Sequence, residues 1–261
     1  MRILAIDLGG TNLRFGIYNP AKKGGKHHGM ESFFIIKTPK SRAKMLSELK
    51  KIIKVMRPDA IGMSLPGVLD YKTGAIIVLP NLRFMNGFNI SKFLRQYCKK
   101  VLIDNDAKCS LRAEKKIGRL RGYKNAMFVT VGTGIGGAIL IDGKIYYGRG
   151  GAGEIGHTFI EKNKTLEHLA AGPNFKANWT AKNKRIISEY LGVAVINIEK
   201  LLDVDAIVFG GGVMHDVGAR ILPAIKRNAE KNMGARKLPD LLISHLGGRS
   251  AIIGAGMMLE K

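Results

Sequence analysis

The sequence has little of several features that would assign it to a specialised class. Its 261 residues include two cysteines, one tryptophan and 7% aromatic residues. Two cysteines are too few for a disulfide framework, and neither Cys98 nor Cys109 lies in a CxxC pair, so we expect buried or free thiols. No run of about 18 uncharged apolar residues occurs, and the N-terminus reaches Asp7 and glycines too early for a signal peptide. We therefore expect a soluble, cytoplasmic protein without a membrane partner.

Acidic residues are also scarce, with 20 Asp and Glu against 43 Lys and Arg, and the formal net charge is +23. A chain this basic raises the question of a nucleic-acid partner. The basic residues occur in scattered pairs such as Lys99-Lys100 and Lys115-Lys116, without a basic tail or regularly interleaved aromatic residues. This distribution favours a solvated surface, suited to an anionic substrate, over a nucleic-acid platform.

A strand, a glycine turn and a second strand open the sequence. Residues 2–6 have the apolar run of a buried strand, and residues 12–18 alternate as a second strand does. Gly9-Gly10 between them is typical of a hairpin turn. The sequence therefore predicts a β-hairpin at the N-terminus.

The same plan returns a domain-sized interval later. A strand over residues 126–131 runs into the glycine turn 132–137, and a second strand over 138–141 follows. The Asp142-Gly143 turn then leads to a further strand over 145–147. Two such hairpins at this separation indicate a duplicated lobe.

Helices and strands alternate after each hairpin, which predicts the α/β class. Ser41 is placed to cap a helix that Pro58 ends, and an exposed loop is expected over residues 20–30. The predicted apolar face of that helix consists of Leu46, Leu49, Ile52, Ile53 and Met56. The strands that follow are predicted over 60–64, 101–104 and 206–209, with helices from Ala107, after Gly212 and over 250–259.

The motif Asp7-Leu8-Gly9-Gly10-Thr11 places an acid at a strand end beside a glycine turn and a hydroxyl. Successive amides in a tight turn form a concavity that binds anions, and a carboxylate beside it is suited to Mg2+. The alternative is a plain hairpin in which Asp7 caps the turn. No Walker A loop is present, because no Gly-Lys-Ser/Thr follows the turn.

Asn105-Asp106 lies at the junction of a strand and a helix. A structural interpretation makes Asp106 the cap of a helix that begins at Ala107. A functional interpretation uses the same position, since the carboxyl ends of parallel strands face the crevice where α/β proteins bind ligands. A carboxylate there is suited to accept a proton from a sugar hydroxyl.

Two more glycine clusters and a group of acids and histidines complete the candidate residues. The two glycine clusters suit a phosphate or nucleoside lying close to the backbone. They comprise Gly132, Gly134, Gly136 and Gly137 with Thr133, and Gly210, Gly211 and Gly212. The acids and histidines are Glu154, His157, Glu167 and His168. Zinc is one interpretation of that group, but no cysteine lies between His157 and Glu167, so hydrogen bonding to a polyhydroxyl ligand is favoured.

The ordered set of motifs resembles the ROK family of sugar kinases and sugar-sensing repressors, nearly end to end. The set comprises Asp7-Leu8-Gly9-Gly10-Thr11, Leu65-Pro66-Gly67, Pro80-Asn81-Leu82, Asn105-Asp106-Ala107, Gly132-Thr133-Gly134-Ile135-Gly136-Gly137, Glu154-Ile155-Gly156-His157 and Gly210-Gly211-Gly212-Val213. The resemblance implies the two-lobed actin-like, ribonuclease-H-like ATPase fold with a cleft between the lobes. It implies a first lobe over residues 1–106, completed by a helix at 248–261, and a larger lobe over 107–247.

The resemblance also implies roles for these residues. Asp7, which would hold Mg2+ directly or through water, lies with Gly9, Gly10 and Thr11 at the phosphates. Thr133 and Gly134 hold the terminal phosphates, and Gly210, Gly211 and Gly212 border the adenosine. The positions that match sugar-binding residues are Gly67, Asn81, Asn105, Glu154, His157 and Glu167. Asp106 matches the catalytic base.

Two departures from the family pattern bear on these expectations. The family's cysteine cluster between the histidine and the second glutamate is missing, so we expect no zinc. The region over residues 173–201 is shorter than usual. We expect no winged helix-turn-helix before the first hairpin, and this expectation disfavours the repressor branch.

The predicted function is an ATP- and Mg2+-dependent hexose kinase, with glucose as the first candidate and a homodimer as the expected assembly. One alternative is a polyphosphate-dependent glucokinase, since polyphosphate is a polyanion and the chain is basic. Kinases of fructose or N-acetylated hexosamines are further alternatives within the family. The non-enzyme alternative is a sugar-sensing regulator.

Overall fold

The computed structural model describes residues 1–22, 28–175, 178–234 and 236–260. The chain divides into two compact units, Met1–Ala113 with Arg249–Lys261 and Glu114–Gly248. Within the loop predicted over 20–30, residues 20–22 form a 3-10 turn, and residues 23–27 lie outside the described ones. None of the helices in the described ranges has the length and apolar character that crossing a bilayer requires.

The first unit contains a five-stranded sheet with helices. Its elements in chain order are β1 (Ile3–Leu8), β2 (Asn12–Tyr18), β3 (Phe34–Lys37), α1 (Arg42–Met56), β4 (Ala60–Leu65), β5 (Val68–Asp70), β6 (Ala75–Val78), α2 (Ile90–Arg95) and β7 (Lys100–Asn105). Helix α3 (Asp106–Ile117) follows, and its part up to Ala113 belongs to this unit. The order in the sheet is β3-β2-β1-β4-β7. β1 pairs antiparallel with β2 and parallel with β4, which in turn pairs parallel with β7. The predicted N-terminal hairpin is thereby confirmed.

The second unit repeats this plan. Its elements are β8 (Ala126–Val131), β9 (Ile135–Ile141), β10 (Lys144–Tyr146), β11 (Phe159–Glu161), β12 (Lys164–Thr165), α4 (Leu166–Ala170), α5 (Ala181–Leu202), β13 (Ala206–Gly210), α6 (Gly212–Met233) and β14 (Asp240–Ile243). The sheet order is β10-β9-β8-β13-β14, again with an antiparallel hairpin followed by parallel pairs. The two units therefore contain sheets with the same strand plan, as the two glycine hairpins predict.

The second glycine turn is shorter than predicted. The turn covers residues 132–134, and β9 already begins at Ile135, so Gly136 and Gly137 are strand residues. The reason is pairing with β8, which aligns Gly136 with Thr130 and Gly137 with Val129. Glycine is needed at 137 because a Cβ there would lie 2.6 Å from the carbonyl oxygen of Gly153. Glycine in a strand often marks such an approach.

Helix α1 begins where the sequence predicts. The side chain of Ser41 accepts a hydrogen bond from the backbone N–H of Lys44, and Arg57 ends the helix in the left-handed region, directly before Pro58. The buried face contains Met45 where Leu46 was predicted, and Leu46 is partly buried beside it. Both residues lie close to the boundary of the apolar stripe, so sequence periodicity alone does not separate them.

The last helix, α7 (Ser250–Met257), is shorter than the predicted 250–259 and packs on the sheet of the first unit. It approaches β4 so closely that a Cβ on Gly62 would lie 2.0 Å from the carbonyl oxygen of Ala255. Beyond the helix, the hydroxyl of the buried Tyr18 donates to the carboxylate of Glu260. Both cysteines are buried and free, as expected.

Candidate active site

The N-terminal hairpin presents a backbone turn that is held from outside. Gly9 N–H donates to the carbonyl of Asn12 at 3.0 Å, which closes the turn. The hydroxyl of Thr38 donates to the carbonyl of Gly9 at 2.7 Å, and the ammonium of Lys40 donates to that of Gly10 at 3.1 Å. Two carbonyls of the turn are thus held by the side chains of Thr38 and Lys40.

Gly10 is required here by close packing. A Cβ at this position would lie 2.8 Å from Cβ of Asn81. The side chain of Asn81 therefore lies directly against the glycine turn, and both residues belong to the first unit. The structure thus brings together a residue predicted to bind phosphate and one predicted to bind sugar.

Asp7 lies at the end of β1 and is nearly buried. Its Oδ2 lies 3.0 Å from Nη1 of Arg14, and its Oδ1 accepts a hydrogen bond of 3.0 Å from Ser64. Burial raises the pKa of Asp7 above its usual value, and the charge of Arg14 and the two hydrogen bonds act in the opposite direction. A single carboxylate at a strand end fits Mg2+, which is commonly held by one or two carboxylates together with substrate phosphates.

The sequence analysis missed Arg14 and Ser64, although the hairpin contains the signal for one of them. The register of β1 and β2 places Asp7 directly opposite Arg14. Opposite charges at facing positions of an antiparallel pair attract each other. A hairpin drawn with Gly9-Gly10 in its turn therefore brings the two side chains together.

Asn105 and Asp106 lie at the carboxyl end of β7, on the same sheet edge as Asp7. The strand register aligns Asp7 with Ser64 and Ser64 with Asp104. Neighbouring strands are about 4.8 Å apart, so β1 and β7 are separated by about 10 Å. The three parallel strands thus end at the same edge of the sheet, and such an edge is where α/β proteins bind ligands.

Helix α3 begins at Asp106, one residue before the predicted start, and its cap is Asn105. The side-chain oxygen of Asn105 accepts hydrogen bonds from the backbone N–H of Ala107 at 2.9 Å and Lys108 at 3.2 Å. Oδ1 of Asp106 lies 2.8 Å from the same N–H of Ala107. The structural interpretation of Asp106 as the helix cap is therefore corrected, because the residue before it has the position and the bonds of a cap.

Asn105 also connects this corner to Gly67. Its side-chain amide donates to the carbonyl of Gly67 at 3.1 Å. Gly67 has a φ of 89°, and a Cβ there would lie 2.1 Å from the carbonyl oxygen of Val78. Both the backbone conformation and the space therefore require glycine.

In the second unit, the glycine turn lies against Glu167. Oε2 of Glu167 accepts a hydrogen bond of 2.7 Å from the backbone N–H of Ile135. A Cβ on Gly134 would lie 2.4 Å from the same oxygen. Thr133, at the tip of the turn, is exposed. A predicted phosphate-binding turn and a predicted sugar-binding carboxylate thus meet in this unit as well.

Glu154 precedes a short 3-10 turn, and His157 is the last residue of that turn. Nε2 of His157 lies 3.8 Å from Oε2 of Glu154, and the His157 side chain is 59% exposed. A Cβ on Gly156 would lie 1.8 Å from the carbonyl oxygen of Ile135, so this segment packs directly on β9. The packing of this backbone segment on β9 therefore fixes the positions from which the side chains of Glu154 and His157 extend.

The segment between His157 and Glu167 forms the hairpin of β11 and β12. Its turn is the pair Lys162 and Asn163, and Asn163 has a φ of 62°. Tyr190 of α5 donates its hydroxyl hydrogen bond to the carboxylate of Glu161.

His168 belongs to a capping box with Thr165, in which its Nδ1 lies 3.4 Å from the N–H of Thr165. Among the described residues, no group of three or more His, Cys, Asp and Glu side chains could hold a metal ion. The donor set around His157 therefore does not fit a structural zinc site, which takes four protein ligands.

The third glycine cluster lies beside the second. Gly211 precedes α6 with a φ of 89°, and a Cβ there would lie 2.4 Å from the carbonyl oxygen of Val131. A Cβ on Gly132 would lie 3.9 Å from the backbone nitrogen of Gly212. A Cβ on Gly212 itself would meet no atom within 4 Å. The amides at the start of the 22-residue helix α6 therefore adjoin the glycine turn and favour an anion.

Comparisons with known proteins bear on the family and the fold of the chain. The sequence profile of the ROK family matches residues 3–185 and 175–261 of the chain. A beta-glucoside kinase of Listeria monocytogenes is 30% identical over 254 residues, which cover 82% of this chain and 83% of the relative. A glucokinase of Halalkalibacterium halodurans is 28% identical over 256 residues, which cover 77% of this chain and 76% of the relative.

Among solved structures, a ROK family glucokinase from Streptomyces griseus in complex with glucose and AMPPNP matches with a TM-score of 0.85. The identity is 20%, and the match covers 99% of each chain. The two sheets described above have the strand plan of the actin-like ATPase fold that the sequence predicts. With matches over nearly its whole length, the chain belongs to the ROK family and has its two-lobed actin-like fold.

Proposed function

We propose that this protein transfers the γ-phosphoryl group of ATP to the 6-hydroxyl of a hexose, with glucose as the first candidate. The observation that carries the proposal is the geometry at the end of β7. Asn105 caps α3, so helix capping does not explain why an aspartate occupies position 106. Asp106 directly follows the carboxyl end of the parallel strand β7. A ligand-facing carboxylate at such a position is suited to proton transfer.

The relatives support a sugar kinase and leave the sugar open. The two relatives named above are a beta-glucoside kinase and a glucokinase, at 30% and 28% identity. The glucokinase of known structure binds glucose together with an ATP analogue. ATP as the donor is consistent with a reaction in the cytoplasm.

In the proposed reaction, Asp106 accepts the proton of the sugar 6-hydroxyl as that oxygen attacks the γ-phosphorus. A new bond joins the sugar oxygen to phosphorus, and the bond from phosphorus to the β,γ-bridging oxygen breaks, which releases ADP. The proton remains on Asp106 until it passes to solvent. Catalysis of this type depends mainly on positioning and on charge stabilisation at the phosphates.

Each unit contains residues that we propose to bind sugar. Asn105, Asn81 and the backbone at Gly67 contribute from the first unit, and Glu154, His157 and Glu167 contribute from the second. Carboxylates accept hydrogen bonds from hydroxyls, whereas amides and a neutral imidazole both donate and accept. A polyhydroxyl ligand offers donors and acceptors on adjacent carbons, which suits this mixed set.

The proposed donor-binding groups are the three glycine clusters. Gly9, Gly10 and Thr11 would contact the phosphates from the first unit, and Thr133 with Gly134 would hold the terminal phosphates from the second. Gly210, Gly211 and Gly212 would border the adenosine. Mg2+ at Asp7 would neutralise negative charge on the phosphates.

Replacing Asp106 by Asn tests the proposal. The amide keeps the shape and the hydrogen bond to Ala107, so calorimetric sugar affinity and the melting temperature should change little. Turnover should fall by about 10²–10⁴-fold, the typical loss of a general base.

Asn105→Ala removes the cap and should cost about 1 kcal/mol of stability. Because Asn105 is also a proposed sugar-binding residue, this variant calibrates only the melting temperature. Near-normal turnover of the Asp106→Asn variant, in an assay that detects wild-type activity, would exclude Asp106 as the base.

A second candidate is transfer from inorganic polyphosphate, which the net charge of +23 favours. The assay therefore compares both donors with glucose, β-glucosides, mannose, fructose, allose and N-acetylated hexosamines. A sugar-sensing regulator would bind sugar in calorimetry and transfer phosphate from neither donor. Size-exclusion chromatography with light scattering tests the expected homodimer.

A further inference from the structure

A basic groove runs between α5 and α6 of the second unit. Its volume is about 530 Å3. Five cationic side chains line it, Lys184 and Arg185 from α5 and Arg220, Arg227 and Lys231 from α6, against one carboxylate, Glu189. Neither the sequence motifs nor the proposed reaction uses any of these residues.

The cations on α6 form a row. Arg220, Arg227 and Lys231 are spaced seven and four residues apart, so they share one face of the helix. At 1.5 Å per residue the row is about 16 Å long. Ile221 and Ala224 lie between them in the lining and supply an apolar floor.

Counter-charges are distributed unequally between this groove and the neighbouring surface of α6. On that neighbouring surface, Lys226 pairs with Glu230 at 3.9 Å, and Lys237 shares a second cavity with Glu230 and Asp240. In the groove, Arg185 pairs with Glu189 at 3.5 Å.

Within the part of the chain that the structure describes, no ion pair is found for the other four groove cations. Like charges on one helix face, such as Arg227 and Lys231 four residues apart, repel each other, and a multivalent anion reduces that repulsion.

The shape and lining of the groove indicate which anion fits. No aromatic side chain lines it, so nucleobases would find no stacking surface of the kind that single-stranded nucleic acids use. A single phosphate is too short to meet a row of about 16 Å. A linear chain of phosphates without bases meets both conditions.

We propose that the groove between α5 and α6 binds linear inorganic polyphosphate. The cations at Lys184, Arg220, Arg227 and Lys231 contact successive phosphates along the chain. Binding of this kind releases counterions and weakens steeply as salt concentration rises. The inference does not depend on the donor that the catalytic site uses, because it concerns residues outside that site.

The test compares two double variants with the same change in net charge. Arg227→Gln with Lys231→Gln neutralises two groove cations, and Lys226→Gln with Lys237→Gln neutralises two cations of the neighbouring cavity. All four side chains are exposed, so both proteins should fold, which thermal unfolding checks. A third variant, Lys184→Gln with Arg220→Gln, repeats the test at the other end of the groove.

Fluorescence anisotropy of end-labelled polyphosphate, measured across a salt series, gives the affinity. We expect each groove variant to lose roughly tenfold or more in affinity. The slope of log K against log salt should become shallower by about 1.4, because two phosphate contacts are lost and each contributes about 0.7 to the slope for a single-stranded polyanion. The neighbouring-cavity variant should bind within about twofold of wild type.

Equal losses in the groove and control variants, or no binding by wild type in about 0.1 M salt, would refute the proposal. A single-stranded oligonucleotide of equal charge that binds more tightly, and loses that affinity in the groove variants, would also refute it. ATP-dependent hexose phosphorylation should persist in the groove variants. If wild type lacks that activity but the groove-dependent binding remains, the proposed function fails and the groove assignment stands.

Discussion

Removing the guanidinium beside Asp7 should destabilise the first unit by an amount that depends on pH. In the native protein, Nη1 of Arg14 lies 3.0 Å from Oδ2 of Asp7, whose side chain is 8% exposed. Arg14→Met keeps much of the apolar length of the side chain and removes its charge. The Asp7 carboxylate then remains buried with the hydrogen bond from Ser64 as its described neutral partner.

The magnitude follows from the burial of the two partners. Exposed ion pairs contribute about 0–1 kcal/mol, whereas removing one partner of a fully buried pair costs about 3–5 kcal/mol. The Arg14 side chain is 27% exposed, so solvent screens part of the interaction. We therefore expect Arg14→Met to cost about 2 kcal/mol near pH 8, between the two limits.

The sign of the pH dependence follows from the pKa of Asp7. Burial raises this pKa above that of the unfolded chain, and Arg14 opposes the increase. Without Arg14 the pKa rises further, which penalises the ionised folded state. The cost of the substitution is therefore complete above the pKa that Asp7 has in the variant. It disappears as pH falls through that value to the lower pKa that Asp7 has in the native protein.

A double-mutant cycle with Asp7→Asn isolates the interaction. Hydrogen exchange of peptides covering β1 and β2 reports opening of the first unit. The single tryptophan, Trp179, lies in the second unit and serves as an internal control by fluorescence. In the Asp7→Asn background, Arg14→Met should cost less than about 0.5 kcal/mol. An equal cost in both backgrounds, or one that persists undiminished at low pH, would refute the reasoning.

Three further predictions concern packing, metal and donor. Gly62→Ala places a Cβ 2.0 Å from the carbonyl oxygen of Ala255 and should destabilise by about 1–3 kcal/mol or more in thermal unfolding. Gly151→Ala, where nothing lies within 4 Å, should be neutral. Elemental analysis should find far less than one zinc per chain, and stoichiometric zinc would contradict the assignment of the β11–β12 segment as a metal-free hairpin. ATP should support hexose phosphorylation. The effect of surface charge on the rate should fade as the Debye length falls from about 10 Å at 0.1 M salt to about 3 Å at 1 M. Transfer from polyphosphate alone would reverse the donor assignment.

The hairpins and the parallel strands could be predicted because their signals are local. Gly9-Gly10 between two apolar runs specifies a turn, and Ser41 and Pro58 mark the ends of α1. Helix α5 received no assignment, although it has 22 residues, because β-branched residues such as Val193, Val195 and Ile196 give a pattern that also suits a strand. β14 was missed because a four-residue strand that starts with Asp240 has too few apolar residues to show a period.

The errors at the site have a different origin, because they depend on contacts distant in sequence. Assigning Gly136 and Gly137 to a turn follows the usual meaning of a glycine run. They lie in a strand because β9 pairs with β8 along this stretch. The helix cap at Asn105 depends on where β7 stops, and boundaries are set by tertiary pairing as well as by local preference. The roles assigned to Asp106 and the other site residues stay predictions that the variants above address.

Each glycine turn brings together residues proposed for phosphate binding and for sugar binding, although these residues belong to separate sequence motifs. In the first unit, the space that a Cβ on Gly10 would fill is taken by Asn81, and in the second unit the space beside Gly134 is taken by the carboxylate of Glu167. Each turn proposed to hold phosphate therefore packs directly against a side chain proposed to hold the sugar. A movement of either turn on binding phosphate must displace that side chain, because packed neighbours at this distance have no room to move independently. Sugar affinity and nucleotide affinity should consequently be coupled within each unit, and Gly10→Ala should weaken both.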